Sequence, residues 1–379
     1  MTALEWGAFV AGAAIVLGVE LSIIRTLIVP RGLASKTVAM VTRLTRGAFL
    51  FLANRSDDFA TKDRILVLHG PAMLIAILVV WLGAFLLGFT LMLLPFVDSG
   101  FAQAMREAGS SMLTLGYAGT DGLGATAIHF FAAATGLITV ALQIAYLPTL
   151  YSAFNRRETL VTMLQSRAGA PAWGPEILNR HHLVGLMDNL PYLFTEWEQW
   201  SADVAESHSS YPMLVYFRSP APLRSWIVSL LAVMDAAALH ASFNPSRSTI
   251  EARLCIRMGF LCLREIAGAI GIAYDPDPMP HDPIELTYED FLGAHHKLSE
   301  SGYAMEVSPE EAWPHFRGWR VNYEAIAYAV ADHVVAPPGP WSGGRKHLPG
   351  MAIVPQPPAN RTPEDPEPEQ RPAGQGAGF

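Results

Sequence analysis

Three long apolar runs constrain this chain more than anything else in it. Residues 6–28, 65–97 and 123–151 are each long enough as helices, at about 1.5 Å per residue, to cross a hydrocarbon core of roughly 30 Å. No water reaches that core to pair with exposed amides, so such runs must satisfy their backbone internally. Composition agrees. Of 379 residues, 51% are hydrophobic and only 16% charged, against about 25% charged in an ordinary soluble domain. The formal net charge of −8 argues against a nucleic-acid partner.

The charges between the runs give an orientation. Residues 25–64 carry Arg25, Arg31, Lys36, Arg43, Arg46, Arg55, Lys62 and Arg64 against Asp57, Asp58 and Asp63. The positive-inside rule places that loop in the cytoplasm, and Arg156, Arg157 and Glu158 mark a second cytoplasmic exit. Three spans then put the N-terminus outside and the C-terminal part inside. The first run lacks the cationic start of a cleavable signal peptide and is expected to remain as a span. It contains Glu20. An intramembrane carboxylate is a functional candidate by default, and the alternative is an interfacial position beside Arg25. Residues 38–52 have an apolar face interrupted by Arg43 and Arg46, which fits either an interfacial helix or a solvated loop. In the second run Gly70-Pro71 predicts a break, with His69 beside it as a pH sensor or a hydrogen-bonded interfacial side chain.

Between the second and third runs lies a short segment unlike either. Asp98 and Ser99 are candidate caps for a helix over residues 99–112, in which Phe101, Met105, Ala108 and Met112 recur at helical spacing. A small-residue loop follows, Ser111-Met112-Leu113-Thr114-Leu115-Gly116-Tyr117-Ala118-Gly119-Thr120-Asp121. Irregular backbone at membrane depth survives only where protein buries it or where it lines a wet cavity.

The order of long helix, short helix, Thr-Leu-Gly-Tyr and long helix over residues 63–158 resembles the potassium-channel pore domain of bacterial type. In that family, four subunits each aim the carbonyls of a Thr-Val-Gly-Tyr-Gly-type loop at a dehydrated ion. The resemblance implies a selectivity filter at Thr114, Leu115, Gly116, Tyr117 and Ala118, a homotetramer, and permeant K+ with no other cofactor. It also implies an inner helix in the third run, with Gly136 and Pro148 as gating-hinge candidates. Gly136 also suits plain close packing of helices. The filter departs from the family at Ala118, where the family has its second Gly, and Gly119 replaces the usual Asp. A Cβ at that position motivates a non-selective cation channel as the alternative. Asp121 is either a ring of charge at the pore mouth or a turn residue beside Gly122. Gln143 is a candidate for the pore wall or for an interhelical bond. No span carries the regularly spaced arginines of a voltage sensor.

Residues 159–336 change character. Trp173, Trp197, Trp200, Trp226, Trp313 and Trp319 supply core mass. Helical patterning over about 176–188, 191–206, 222–241, 246–272, 284–301 and 309–333 predicts an α-helical bundle. No Gly-x-Gly-x-x-Gly follows a strand, so the nucleotide-binding domain of many channel relatives is not expected. His181-His182 and His295-His296 are adjacent pairs whose rings diverge by about 100° on a helix, a poor metal geometry. Glu196, Glu198, Asp203 and Glu206 read as a solvated acidic stripe. Cys255 and Cys262 share a helix face and read as reduced core thiols. No nucleophile elbow, phosphate loop or zincin motif is present, so no enzymatic activity is expected. Residues 337–379, rich in Pro and Gly, are expected to be disordered.

The expected protein is an all-α, multi-pass inner- or plasma-membrane protein, its partners the bilayer and itself. It divides into an N-terminal transmembrane helix (1–30), a basic linker with an interfacial helix (31–62), a pore domain with a re-entrant pore helix and filter loop between its second and third spans (63–158), a cytosolic helical domain (159–336) and a tail (337–379). The remaining alternative is a non-conducting, membrane-anchored helical sensor.

Overall fold

The computed structural model describes residues 3–29, 35–344 and 353, and among them the regular structure is helical throughout. Two bodies share one long helix. The first is built from α1 (Ala3–Ile23), α2 (Lys36–Ala53), α3 (Phe59–Leu66), α4 (His69–Leu93), α5 (Gly100–Met112) and the first half of α6 (Leu123–Ala168). The second holds the end of α6 with α7 (Gly174–Leu183), α8 (Leu190–Ser210), α9 (Trp226–Phe243), α10 (Ile250–Ile270), α11 (Tyr288–Glu300), α12 (Pro309–Arg320) and α13 (Glu324–His333).

Among the described residues, four helices are long and apolar enough to cross a membrane: α1 with its continuation to Ile28, the α3–α4 stretch, α6 and α9. Their surroundings differ. Helix α1 is apolar on every side and leaves Val10, Leu17 and Leu21 more than half exposed, as a lipid-facing surface requires. Its other side lies on α4. A Cβ at Gly12 would sit 2.4 Å from the carbonyl oxygen of Gly88, so glycines let the two backbones touch. Trp81 of α4 donates from Nε1 to Ser22 Oγ at 3.0 Å, in a buried cluster with Ser35. Helix α9, by contrast, has 94% of its most apolar stretch buried, under α7, α8, α10, α12 and α13. It is the core helix of the second body.

That core contains charge. Asp235 on α9 accepts from Arg320 and, at 2.8 Å, from the Tyr323 hydroxyl. Arg320 is fully buried and also donates to Glu324 at 2.5 Å, Tyr328 Oη at 2.7 Å and the Trp341 carbonyl at 3.0 Å. Glu324 accepts the backbone amides of Glu285 and Leu286. One guanidinium thus ties α9, α12, α13 and two loops together, with its donors matched by acceptors as a buried ion needs.

Several expected boundaries move. The division at 158/159 falls inside α6, which runs unbroken from the first body into the second. Its apolar pattern gives way there to one whose buried positions Val161, Leu164 and Ala168 join the second core. A change of solvent does not end a helix. Arg157 and Glu158 are not surface exit charges: Arg157 is fully buried, donating to Glu158 at 2.9 Å and to the carbonyls of Leu214 and Phe217 at 2.9 and 2.6 Å. The expected break at Gly70-Pro71 lies earlier, in the Val67-Leu68 turn. Pro71 sits in the first turn of α4, where its missing amide would have had no helical partner. Residues 36–53 adopt the helical alternative, and the segment expected over 309–333 divides into α12 and α13. Residues 337–344, assigned to the tail, pack onto the second core: the Trp341 ring meets Trp173 and Phe316, and Tyr328 lies against Gly343. The rest of the expected tail, 345–352 and 354–379, lies outside the described residues.

Candidate functional site

The site is the α5–α6 connection, residues 113–122. Helix α5 descends beside α6 until Met112 meets Gly136, where a Cβ would lie 2.1 Å from the Met112 carbonyl oxygen. Gly136 is 13 residues into α6, so at about 1.5 Å per residue the tip of α5 lies about 20 Å along that helix from its start. The loop then climbs back, and ten residues at about 3.3 Å each easily cover the distance. Gly136 is therefore the point of close approach, and α6 stays helical through both Gly136 and Pro148.

Ser110 organises the returning strand. Its carbonyl accepts from the amides of Leu115 at 2.7 Å and Gly116 at 3.3 Å. Its hydroxyl oxygen accepts from the amides of Tyr117 and Ala118, both at 3.0 Å. Four consecutive amides thus point at one serine. In a planar trans peptide the carbonyl of each residue points opposite to the next residue's N–H. The carbonyls of Thr114, Leu115, Gly116 and Tyr117 therefore all point away from Ser110, and among the described residues no hydrogen bond ends on any of them. An ordinary strand alternates its carbonyls. Here the alternation is broken by left-handed backbone at Thr114 (φ 55°) and Gly116 (φ 68°). Glycine adopts that region freely, whereas threonine is strained in it.

A second anchor holds the loop from behind. Glu107 on α5 is fully buried. Its Oε1 accepts from Thr120 Oγ1 at 2.6 Å and from Gln103 Nε2 at 2.9 Å. Its Oε2 lies 3.4 Å from Nε2 of His129 on α6, an ion pair when that ring is protonated, and His129 Nδ1 meets Ser111 Oγ at 2.9 Å. Leu115 and Tyr117 remain about 60% exposed in the single chain, and Asp121 is exposed beside Gly122 (φ 124°).

Thr114, Leu115, Gly116, Tyr117 and Ala118 thus form one continuous surface, while Gly136 sits behind it and Pro148 far below. Sequence reasoning placed Glu107 mid-helix and His129 near the outer end of the third run but gave neither a role, and it did not single out Ser110. Helical spacing carries a signal for one of them, since Glu107 falls on the buried face with Ala104 and Ala108. The expected caps Asp98 and Ser99 make no side-chain cap bond to α5. Gln143 is buried, and its side-chain oxygen has no hydrogen-bond partner among the described residues. Glu20 accepts from Thr135 of α6 at 3.3 Å, and no ion pair with Arg25 occurs among the described residues.

In the second body His181 Nδ1 meets the Ile177 carbonyl at 2.7 Å, and the acidic stripe is partly paired through Arg167–Glu196 and Arg156–Asp203. Both cysteines are buried free thiols. Among the described residues no three His, Cys, Asp or Glu side chains gather as a metal site. No family model matches the sequence, and no curated protein and no solved structure is found to be similar to the chain.

Proposed function

We propose that this chain is one subunit of a homotetrameric, potassium-selective channel, with residues 114–118 as its filter and no catalytic activity. The observation that carries the reading is the set of four consecutive amides, Leu115 to Ala118, turned onto Ser110, which leaves the carbonyls of Thr114 to Tyr117 on the far side of the loop with no hydrogen bond among the described residues. Unpaired carbonyls in a membrane are costly unless water or a cation meets them. One strand offers only one side of a cage, so four copies around an axis are needed to replace the hydration shell of an ion such as K+. The loop's uncovered apolar face suits burial against the next copy, and the carbonyl end of α5 presents partial negative charge at mid-membrane. In this reading Asp121 gathers cations at the mouth, and α6, with Gly136 and Pro148, transmits movement of the second body to the pore. The charge pattern supports an outer N-terminus and an inner helical body in the cell membrane.

A non-selective cation pore is the second reading. Ala118 favours it, because a Cβ stands where a fifth aligned carbonyl would call for glycine. The test is flux from liposomes under potassium and sodium gradients, with Gly116→Ala and Ala118→Gly alongside wild type. Potassium flux abolished by Gly116→Ala supports a pore through this loop. A selectivity that rises in Ala118→Gly supports the second reading. A wild-type protein that stays monomeric in detergent and is indifferent to Gly116→Ala would overturn both.

A further inference from the structure

A small cleft with about 40 Å³ of free internal volume, open to solvent on one side, lies where the two bodies meet. Its walls are α2, the start of α4, the 215–219 turn, residues 224–226 and the 333–337 stretch after α13. Three arginines line it, Arg46, Arg218 and Arg224, and no carboxylate does. Arg218 is fully engaged, donating to Asp63 at 2.5 Å and to the carbonyls of Val334 and Val335 at 2.7 and 3.0 Å. The other two are not neutralised. Arg46 donates to the His333 carbonyl at 3.0 Å and Arg224 to Thr162 Oγ1 at 2.8 Å, and neither has a carboxylate within ion-pair distance among the described residues.

Two buried donors in the same cleft have no partner, the Ser219 hydroxyl, on a residue only 4% exposed, and Arg224 Nε. Buried polar atoms are rarely left so. Water could pair with them but would leave two guanidinium charges unbalanced, whereas a tetrahedral oxyanion answers both needs, since guanidinium forks match its paired oxygens.

We propose that this cleft binds a phosphate group. Two sources can supply it. A soluble phosphate enters from the open mouth. A phospholipid headgroup is the other source, because α2 carries an exposed stripe of Met40, Leu44 and Phe51 of the kind that inserts at a bilayer surface, which would bring this side of the cleft to the headgroups. Either ligand bridges α2 to the second body. The site is independent of the pore reading.

The test uses the full-length protein. Thermal unfolding is followed in detergent against inorganic phosphate, with chloride at matched ionic strength as control. It is followed again in phosphate-free buffer in nanodiscs of phosphatidylcholine with or without phosphatidic acid. Ser219→Ala and Arg224→Gln are measured alongside. Removing the Ser219 hydroxyl orphans nothing, so that variant should match wild type without ligand. A saturable rise in midpoint with inorganic phosphate assigns a free anion. A rise only with phosphatidic acid assigns a headgroup. In either case the apparent affinity should fall about tenfold in Ser219→Ala, and at least as much in Arg224→Gln. No shift in wild type with either ligand, or a shift undiminished in both variants, overturns the proposal.

Discussion

Replacing Ser110 by alanine tests the site at its origin. The substitution leaves the Ser110 carbonyl and its bonds to Leu115 and Gly116 in place, and removes the hydroxyl that accepts the Tyr117 and Ala118 amides at 3.0 Å. Each lost bond costs about 1 kcal/mol net, and each amide left unpaired away from water costs about 1–3 kcal/mol more in the limit. With Tyr117 exposed, water reaches the freed amides and the two lost bonds total about 2 kcal/mol, about a thirtyfold fall in the population of the ordered upper loop, at about 1.4 kcal/mol per factor of ten. The carbonyls of Gly116 and Tyr117 should then swing out of line while those below hold. Potassium flux from liposomes should drop at least tenfold and the potassium-to-sodium ratio should approach one, with oligomeric state unchanged. Ser110→Thr, which keeps a hydroxyl, should recover part of both. Wild-type flux and selectivity in Ser110→Ala would refute the reasoning, because the loop's geometry would then owe nothing to the bonds described.

Gly136→Ala puts a methyl group into the Met112 carbonyl and should cost about 1–3 kcal/mol while displacing α5, read as a lower unfolding midpoint together with loss of flux. Arg157→Met leaves Glu158 and the Phe217 carbonyl buried without their donor, while the Leu214 carbonyl keeps the Phe217 amide, and should destabilise by about 3–5 kcal/mol, seen by chemical denaturation. Burial, with Arg46 adding to it, pushes the His333 pKa down to about 4. Between pH 6.5 and 4 the unfolded chain therefore takes up a proton that the folded ring refuses, so stability is complete above 6.5 and falls as pH drops. The fall is about 3 kcal/mol at full burial and roughly 2 for this partly exposed ring. Unfolding midpoints from pH 7 to 4.5 should show a steeper fall for wild type than for His333→Gln, and equal slopes would remove His333 as the cause.

The three long apolar helices were legible because lipid imposes one requirement, an apolar run of sufficient length, which a sequence displays directly. The same run did not distinguish α9, which meets that requirement and is buried by other helices. Which neighbours cover a helix is decided by packing, and no residue within α9 announces them. The loop at 113–121 stood out by its small residues and its place between spans. What the loop does with its backbone did not, because Ser110 is an unremarked serine until the chain folds back on it.

From the sequence alone came the helical class, the three long apolar runs, the loop over residues 111–121 between two of them and the helical region over 159–336. Those follow from local chemistry: hydrophobic periodicity, helix length and the turn residues between runs. Only the tertiary structure decided that Glu107 and His129 meet behind the loop, that Arg157 is core and not surface, that α6 joins both bodies, and that Arg46 and Arg224 share a cleft without a carboxylate. Each of these pairs residues far apart in the chain. A charged side chain's partner depends on which distant segment packs against it, and the free energy that selects that segment belongs to the whole fold.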